Sequence, residues 1–389
     1  MSRYLFIFFL CSYLFAQDRG RITPTVNLIR FPESLTISNL SSMGISFRAN
    51  THVVDIACGN PAALGQFKNL SAGVSWLFES DIEGSESIDL VLERNKSWLP
   101  QSAGLIYPYN DFFRLALGMN RRYSSYLEFE PIPIITPEMP MGTGEFFKPV
   151  AESSVITYSA IAGYTFNKLL SAQQMTFAFR YNLDYMSTQE EVLNIKAKTS
   201  DYDHSWAFGI IAVFELPALS ISFGASYEKD IHIEEDMNSD SNLLIVDSDT
   251  TMNSNIISQL DPTTVIAQIP ARVNFGTSLT FSSDFVVEVS VSQVLWSEIS
   301  AGLDDVIEFA ASLSRPLMQG LTTSVGLYNT GLNYEGVSAI DEPDALYLTA
   351  GARLSLGKFV VDLALADNHI SSLDRRKQTI VKIAGSFIF

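Results

Sequence analysis

Gln378-Thr379-Ile380-Val381-Lys382-Ile383-Ala384-Gly385-Ser386-Phe387-Ile388-Phe389, the last twelve residues, alternate strictly in position and stop on an aromatic. Thr379, Val381, Ile383, Gly385, Phe387 and Phe389 share one face; Ile380, Lys382, Ala384, Ser386 and Ile388 share the other. A period of two is the mark of a strand, with one apolar side and one side able to meet water. An open, aromatic-tipped strand is a template for aggregation in a soluble protein. A barrel closed in lipid has no such edge and places aromatics at its interfaces.

The same alternation recurs upstream. Met175, Phe177, Phe179, Tyr181, Leu183 and Tyr185 oppose Thr176, Ala178, Arg180, Asn182 and Asp184. Leu219, Ile221, Phe223, Ala225 and Tyr227 oppose Ser220, Ser222, Gly224, Ser226 and Glu228. Phe285, Val287, Val289 and Val291 oppose Glu288, Ser290 and Ser292, and Phe359, Val361, Leu363 and Leu365 oppose Asp362, Ala364 and Ala366. Greasy outside and small, polar or charged inside is the pattern of a transmembrane antiparallel β-barrel. Segmentation predicts about fourteen strands, near 71–79, 101–108, 111–120, 152–166, 172–187, 203–214, 218–232, 270–281, 284–297, 305–315, 320–330, 344–356, 358–369 and 378–389. Tight turns at Asn110, 167–171, 215–217, 282–283, 316–319 and Gly357 alternate with longer connections such as 80–100, 121–151, 233–269 and 331–343. Loops sorted by parity fit short periplasmic turns and longer external loops; a soluble β-sandwich gives no reason for the sorting.

Composition agrees with this reading. Charged residues are 17% and aromatics 12%, yet no stretch after the N-terminus reaches the ~18 apolar residues of a membrane helix. The net charge of −18 argues against a nucleic-acid partner. The acidic run Glu228–Asp249 is expected to be a solvated external loop. Arg3 followed by the apolar run Tyr4–Phe15, with Ala16 before Gln17, reads as a cleavable signal peptide over 1–16. Cleavage would leave Cys58 as the one cysteine, so neither a disulfide within the chain nor a multi-thiolate metal site is expected. The four histidines are scattered, and there is no Gly-x-Ser-x-Gly elbow or phosphate loop. Neither an enzyme nor a cofactor is expected.

Residues 17–70 precede the barrel, assigned to 71–389, and do not alternate. A barrel of fourteen strands encloses more space than its side chains fill, so a luminal plug is expected. Within this segment lie Ser41-Ser42-Met43-Gly44 and Asn60-Pro61-Ala62-Ala63-Leu64. These resemble the hatch of the FadL/TodX family of outer-membrane transporters of hydrophobic compounds. Ile269-Pro270-Ala271-Arg272-Val273-Asn274-Phe275-Gly276, the hairpin ending Leu295-Trp296-Ser297, and Asp341-Glu342-Pro343-Asp344 are similar to the family's Pro/Gly strand, Trp-Ser hairpin end and late acidic loop. The resemblance implies an N-terminal hatch (Met43, Gly44, Asn60, Pro61, Ala62), passive uptake of hydrophobic small molecules such as long-chain fatty acids, and a location in the bacterial outer membrane. It also implies lipid bilayer and lipopolysaccharide as surroundings and a monomeric state. Related barrels in type IX secretion, PorV-like shuttles and scaffolds, keep a non-transporting alternative open.

Two sets of residues are candidates for ligand contact. Parity places Arg114, Arg180, Arg272, Arg353 and Lys382 in the lumen, where each could receive a carboxylate or pair with inward acids such as Asp184, Glu288 and Asp362. The external loops carry Phe146 and Phe147 in one segment and Leu243, Leu244, Ile256 and Ile257 in another. Those apolar side chains either form a capture groove or pack over the mouth. Asn60-Pro61-Ala62 reads locally as a capped turn, since proline fixes φ and asparagine can bond the backbone that follows.

Overall fold

The structure, a computed structural model, describes residues 52–79, 99–128, 132–133, 144, 146–147, 150–192, 195–239, 263–298, 305–330, 345–369 and 379–389. In chain order the strands are β1 (Ser71–Glu79), β2 (Leu99–Pro108), β3 (Phe113–Glu128), β4 (Ile132–Pro133), β5 (Phe146–Phe147) and β6 (Val150–Leu169). They continue with β7 (Ala172–Val192), β8 (Ile195–Leu216), β9 (Leu219–Glu228), β10 (Ile231–Ser239), β11 (Thr263–Ile269) and β12 (Arg272–Phe281). The last six are β13 (Val286–Val294), β14 (Val306–Met318), β15 (Leu321–Thr330), β16 (Ala345–Leu356), β17 (Phe359–Asp367) and β18 (Thr379–Ile388).

Sixteen strands form one antiparallel sheet. It closes because β1 pairs with β18, Ser71 opposite Ile388 through Glu79 opposite Ile380, and because β8 pairs with β9. The ring has fourteen strands; β10 and β11 form a hairpin outside it, and β4 and β5 pair only with each other. One tie completes the β1–β18 seam at its base, the Phe389 amide donating to Leu70 O at 2.9 Å; on the other side of β18 the Ile388 amide donates to Lys358 O at 2.9 Å, beside β17. Every backbone polar group in hydrocarbon needs such a partner, and closure provides it.

The side chains sort as period two requires. On β7, Arg180, Asn182 and Asp184 are buried in the lumen while Phe179 and Tyr181 are exposed on the outer wall. Leu117 and Phe275 stand out from the wall at 60% and 59% exposure. Aromatic rings chain along the lower rim: Phe112 stacks on Tyr164, which touches Phe166, which touches Phe177; Phe359, Phe387 and Phe389 make a second run. Higher on the wall Trp206 lies between Phe179 and Tyr227. An apolar exterior with aromatic belts is a surface built for hydrocarbon. Among the described residues no helix is long and apolar enough to cross a membrane; the crossing is made by strands.

Three expectations need correction. The external segments 121–151 and 188–202 were expected to be loops, but β3 runs to Glu128, β6 starts at Val150, and β7 and β8 run to Val192 and from Ile195. Strand pairing continues beyond the membrane here, where no apolar face is needed to sustain it. The stretch 218–232 was expected as one strand but breaks at Lys229 and Asp230 into β9 and β10. There the β8 ladder, regular up to Ala207–Glu228, resumes only at Lys198–Asn238 with a register slipped by one residue. Bonds from Lys229 N to Trp206 O (2.9 Å) and from His232 N to Asp203 Oδ2 (3.0 Å) bridge the interval. Finally, part of 233–269 is hairpin, with Ile231 opposite Ile269 and Met237 opposite Thr263.

Candidate functional site

Inside the ring lie two short 3-10 helices, Val53–Ala57 and Pro61–Gln66. Each begins with a side chain that satisfies amides the helix cannot. His52 Nδ1 accepts from Val54 N at 3.3 Å, and Asp55 Oδ2 accepts from His52 N at 2.9 Å, a reciprocal capping box. Asn60 Oδ1 accepts from Ala62 N at 2.9 Å, with Pro61 in the first turn where its missing N–H costs nothing. The Cys58 thiol is buried and donates to Asp55 O at 3.6 Å.

The helices are docked deeply because the wall beneath them is stripped of side chains. A β-carbon built on Gly104 of β2 would lie 2.4 Å from Val53 O, and one on Gly118 of β3 would lie 2.7 Å from Ala57 Cβ. On Gly209 of β8 it would fall 2.0 Å from Asn60 Oδ1. Over this bed Val53, Ile56 and Leu64 pack on Ile106, Ala116 and Ile161, and Ala62 and Ala63 pack on Ala178, Ile211 and Val213. Asn60 Nδ2 then donates to two strand carbonyls, Ala225 O at 3.1 Å and Ile210 O at 3.3 Å. Asn60 therefore caps its own helix and pins it to the wall.

Charged groups hold the other side of the hatch. Arg180 donates through Nη1 to Gly59 O at 2.8 Å and Ile56 O at 3.4 Å, and its Nη2 lies 2.8 Å from Glu228 Oε1. Glu228 Oε2 is 2.9 Å from Arg122 Nη2, so one carboxylate serves two guanidiniums. Alongside, Asp184 accepts from Ser205 and Thr157, and Asn182 donates to Ser205 at 3.0 Å. Arg114 bonds Phe67 O at 2.6 Å and Thr165 Oγ1 at 3.2 Å. On the far wall Arg272 meets Glu308 at 3.0 Å, and Arg353 grips Asp362 with two bonds of 2.8 and 2.7 Å. Lys382 Nζ is 3.7 Å from Asp55 Oδ1. Complete burial of Asp55 raises its carboxyl to about 6, partly offset by the Lys382 charge, and burial of His52 lowers its ring to about 3. The imidazole is therefore neutral at ordinary pH.

The structure thus sets all five sequence-predicted cations in the lumen, each beside a protein partner, and brings Asn60, Pro61 and Ala62 to the wall. Phe146 is 63% exposed on the small β4–β5 pair. Met43, Gly44, Leu243, Leu244, Ile256, Ile257 and the expected signal 1–16 lie outside the described residues, as does the Phe147 side chain. Arg122 escapes sequence reasoning, while Glu228 is read both on the inner face of its strand and at the head of an acidic loop. Glu228, expected in a solvated loop, is buried at the top of β9. Its alternation with Ser226 and Ser222 set it on the inner face, and the structure follows that parity and not the loop reading. Among the described residues no cluster of three metal-ligating side chains occurs.

No family model and no curated protein matches the chain. Solved structures do match. The Pseudomonas aeruginosa FadL homologue aligns at 12% identity over 93% of this chain and 99% of its own, TM-score 0.57. The P. putida toluene transporter TodX aligns at 12% identity over 92% and 99%, TM-score 0.61. The CymD monoaromatic hydrocarbon channel aligns at 14% identity over 91% and 97%, TM-score 0.56. The fourteen-stranded ring is the fold these channels share.

Proposed function

We propose that this chain, built on the fold of the FadL-type channels, is a bacterial outer-membrane channel for passive uptake of hydrophobic small molecules. The observation that carries the reading is the hatch. Two capped helices are seated on a glycine bed and pinned by Asn60 and Arg180, which is the construction of a stopper meant to hold one position and release from it. A merely structural core would fill the ring with wall side chains instead of clearing space for a separate segment. The solved channels of the same fold are named for toluene and monoaromatic hydrocarbons, which supports an apolar cargo. Long-chain fatty acids are the class we assign, with exposed Phe146 among the residues that would meet them first and the luminal cations Arg114, Arg180, Arg272, Arg353 and Lys382 as candidate head-group partners. Movement follows the ligand gradient, with bilayer and lipopolysaccharide around a single barrel.

The test is uptake by cells carrying the chain in the outer membrane, with labelled dodecanoate and toluene as probes. Faster accumulation than in cells with the empty membrane, and loss of that gain on Arg180→Met, is the expected result. A folded, correctly inserted barrel that changes neither rate overturns the reading. One observation favours the second reading, a scaffold or secretion shuttle: β7 and β8, with the β10–β11 hairpin, extend well past the shorter strands and offer a docking face. A partner protein retained through purification, together with no uptake, would decide for it.

A further inference from the structure

The outer wall of β7 and β8 changes character at one height. A tilted strand crosses hydrocarbon in about 9–11 residues, and counting up from Phe214 near the base of β8 brings that boundary to 204–206. Below it the exposed outward residues are Phe208 and Phe179; at and above it they are Trp206, Tyr181, His204 and Tyr202. Tyr181 Oη and His204 Nδ1 lie 2.8 Å apart, and the two rings stack at 5.6 Å and 21°. Tyr202 meets the same imidazole at 6.0 Å and 73°. The ring is thus held from two sides and bonded at Nδ1, and among the described residues nothing bonds its Nε2. This polar cluster belongs to one flank: the exposed Val289 and Val291 of β13 and Phe309 of β14 carry no polar side-chain atom.

At the same height the β8 ladder is interrupted, between Ala207–Glu228 and Lys198–Asn238. Trp206 O accepts from Lys229 N across that side, so the alternate residues above it, His204 and Tyr202, turn their N–H and C=O the same way. No ladder partner for them is described there, and backbone groups at the edge of hydrocarbon need one. His232, exposed between buried Ile231 and Ile233, shares the outward parity of His204 through the Asn238–Lys198 pair. Asp203, which accepts from His232 N, and half-buried Asp230 stand beside the interval and disfavour a bare anion. What remains is a set of donors, acceptors and flat rings. Tyrosine and tryptophan rings have apolar faces and a polar rim, which suits a sugar: its C–H face is apolar, and its hydroxyls both donate and accept.

We propose that Tyr181, Tyr202, His204 and Trp206, with the open backbone of β8 beside them, form a seat on the outside of the barrel for the glucosamine headgroup of one lipopolysaccharide molecule. The sugar hydroxyls bond His204 Nε2 and the β8 backbone, a sugar ring lies on the tyrosines, and the acyl chains run down over Phe179 and Phe208. The glycolipid completes the wall where the ladder stops. The seat lies outside the lumen and is independent of cargo; it rests on the outer-membrane location and not on the uptake reading.

The test is native mass spectrometry of the full chain in lauryldimethylamine oxide, offered deep-rough lipopolysaccharide or dioleoyl phosphatidylglycerol at equal concentration. One lipopolysaccharide retained per chain, with phosphatidylglycerol lost, is the expected result. His204→Phe with Tyr202→Phe keeps both rings and removes their polar atoms; it lowers retention about tenfold, the worth of one or two hydrogen bonds. Phe275→Leu, on the exposed face of β12, leaves retention unchanged. Heat modification on a gel confirms the fold of each variant. Should the double variant fail it, Tyr181→Phe, which only unfastens the imidazole, is the second probe and lowers retention about threefold. No retained lipopolysaccharide, equal retention of the two lipids, or undiminished retention in these variants overturns the seat. Uptake of labelled dodecanoate is unchanged in the double variant; a parallel loss of uptake would tie these residues to the pore and overturn the seat as a separate site.

Discussion

Gly104 and Gly209 are positions where hydrogen is the only side chain that fits. Gly104→Val would drive a β-carbon into the Val53 carbonyl, which is backbone and cannot swing aside. Overpacking of this kind costs about 1–3 kcal/mol, and here the cost falls on docking of the hatch more than on the barrel. The expected outcome is rapid thiol labelling of Cys58 with an unchanged heat-modifiable barrel; slow labelling would mean the hatch is held elsewhere. Asp55 makes docking sensitive to acid. Its carboxyl is near 3.8 when hydrated and raised to about 6 when the hatch is seated. The seated state therefore binds the proton more tightly, so this contribution is full below 3.8 and lost as pH rises through 6. Hydrogen exchange of residues 52–66, corrected for intrinsic rate, should be ~10-fold slower at pH 4.5 than at pH 7.5, and Asp55→Asn should erase the difference. At this scale the sequence was half legible. Parity assigned Arg180, Arg272, Arg353 and Lys382 to the lumen, because period two is local. That Arg180 reaches a hatch carbonyl and shares Glu228 with Arg122 depends on strands far apart in the chain, and no local pattern carries it.

Between β6 and β7 the chain reverses in two residues, Leu170 and Ser171, both left-handed at φ 50° and 66°. Each lacks the freedom of glycine, and Lys168 nearby adds a third such residue at φ 59°. Two-residue hairpins of this hand favour Asn-Gly. Leu170→Asn with Ser171→Gly should raise barrel stability by about 1–2 kcal/mol, read as a higher midpoint of heat modification; no rise would show the strain to be relieved elsewhere. The strands on either side were easy to read where they cross lipid, since an outward Phe179 or Tyr181 must alternate with an inward Asn182. Their extensions were not. Past the membrane both faces are wet, hydrophobic alternation fades, and Ser187–Val192 looks like a loop although its pairing with β6 and β8 continues.

The molecule as a whole is turned inside out relative to a soluble protein, and the lipid-facing wall bears the consequence. Leu117→Arg places a charge on the outer face at a site 60% exposed, where an arginine near mid-bilayer costs about 2–4 kcal/mol. Urea unfolding from vesicles should show that loss, and an undiminished barrel would move Leu117 out of the hydrocarbon. The ring was the most legible feature of all, because strand number and loop parity repeat along the whole chain. Its height was the least. β8 has 22 residues, about 70 Å along the strand, and β13 has 9, about 30 Å, at ~3.3 Å per residue. Among the described residues the cylinder is thus cut on a slant, like a quill. Along the described strands, whatever drifts across the cell surface meets a cliff on the β6–β8 flank and a doorstep at β12, β13 and β17, so the compass bearing of its approach sets the height at which it first touches the wall.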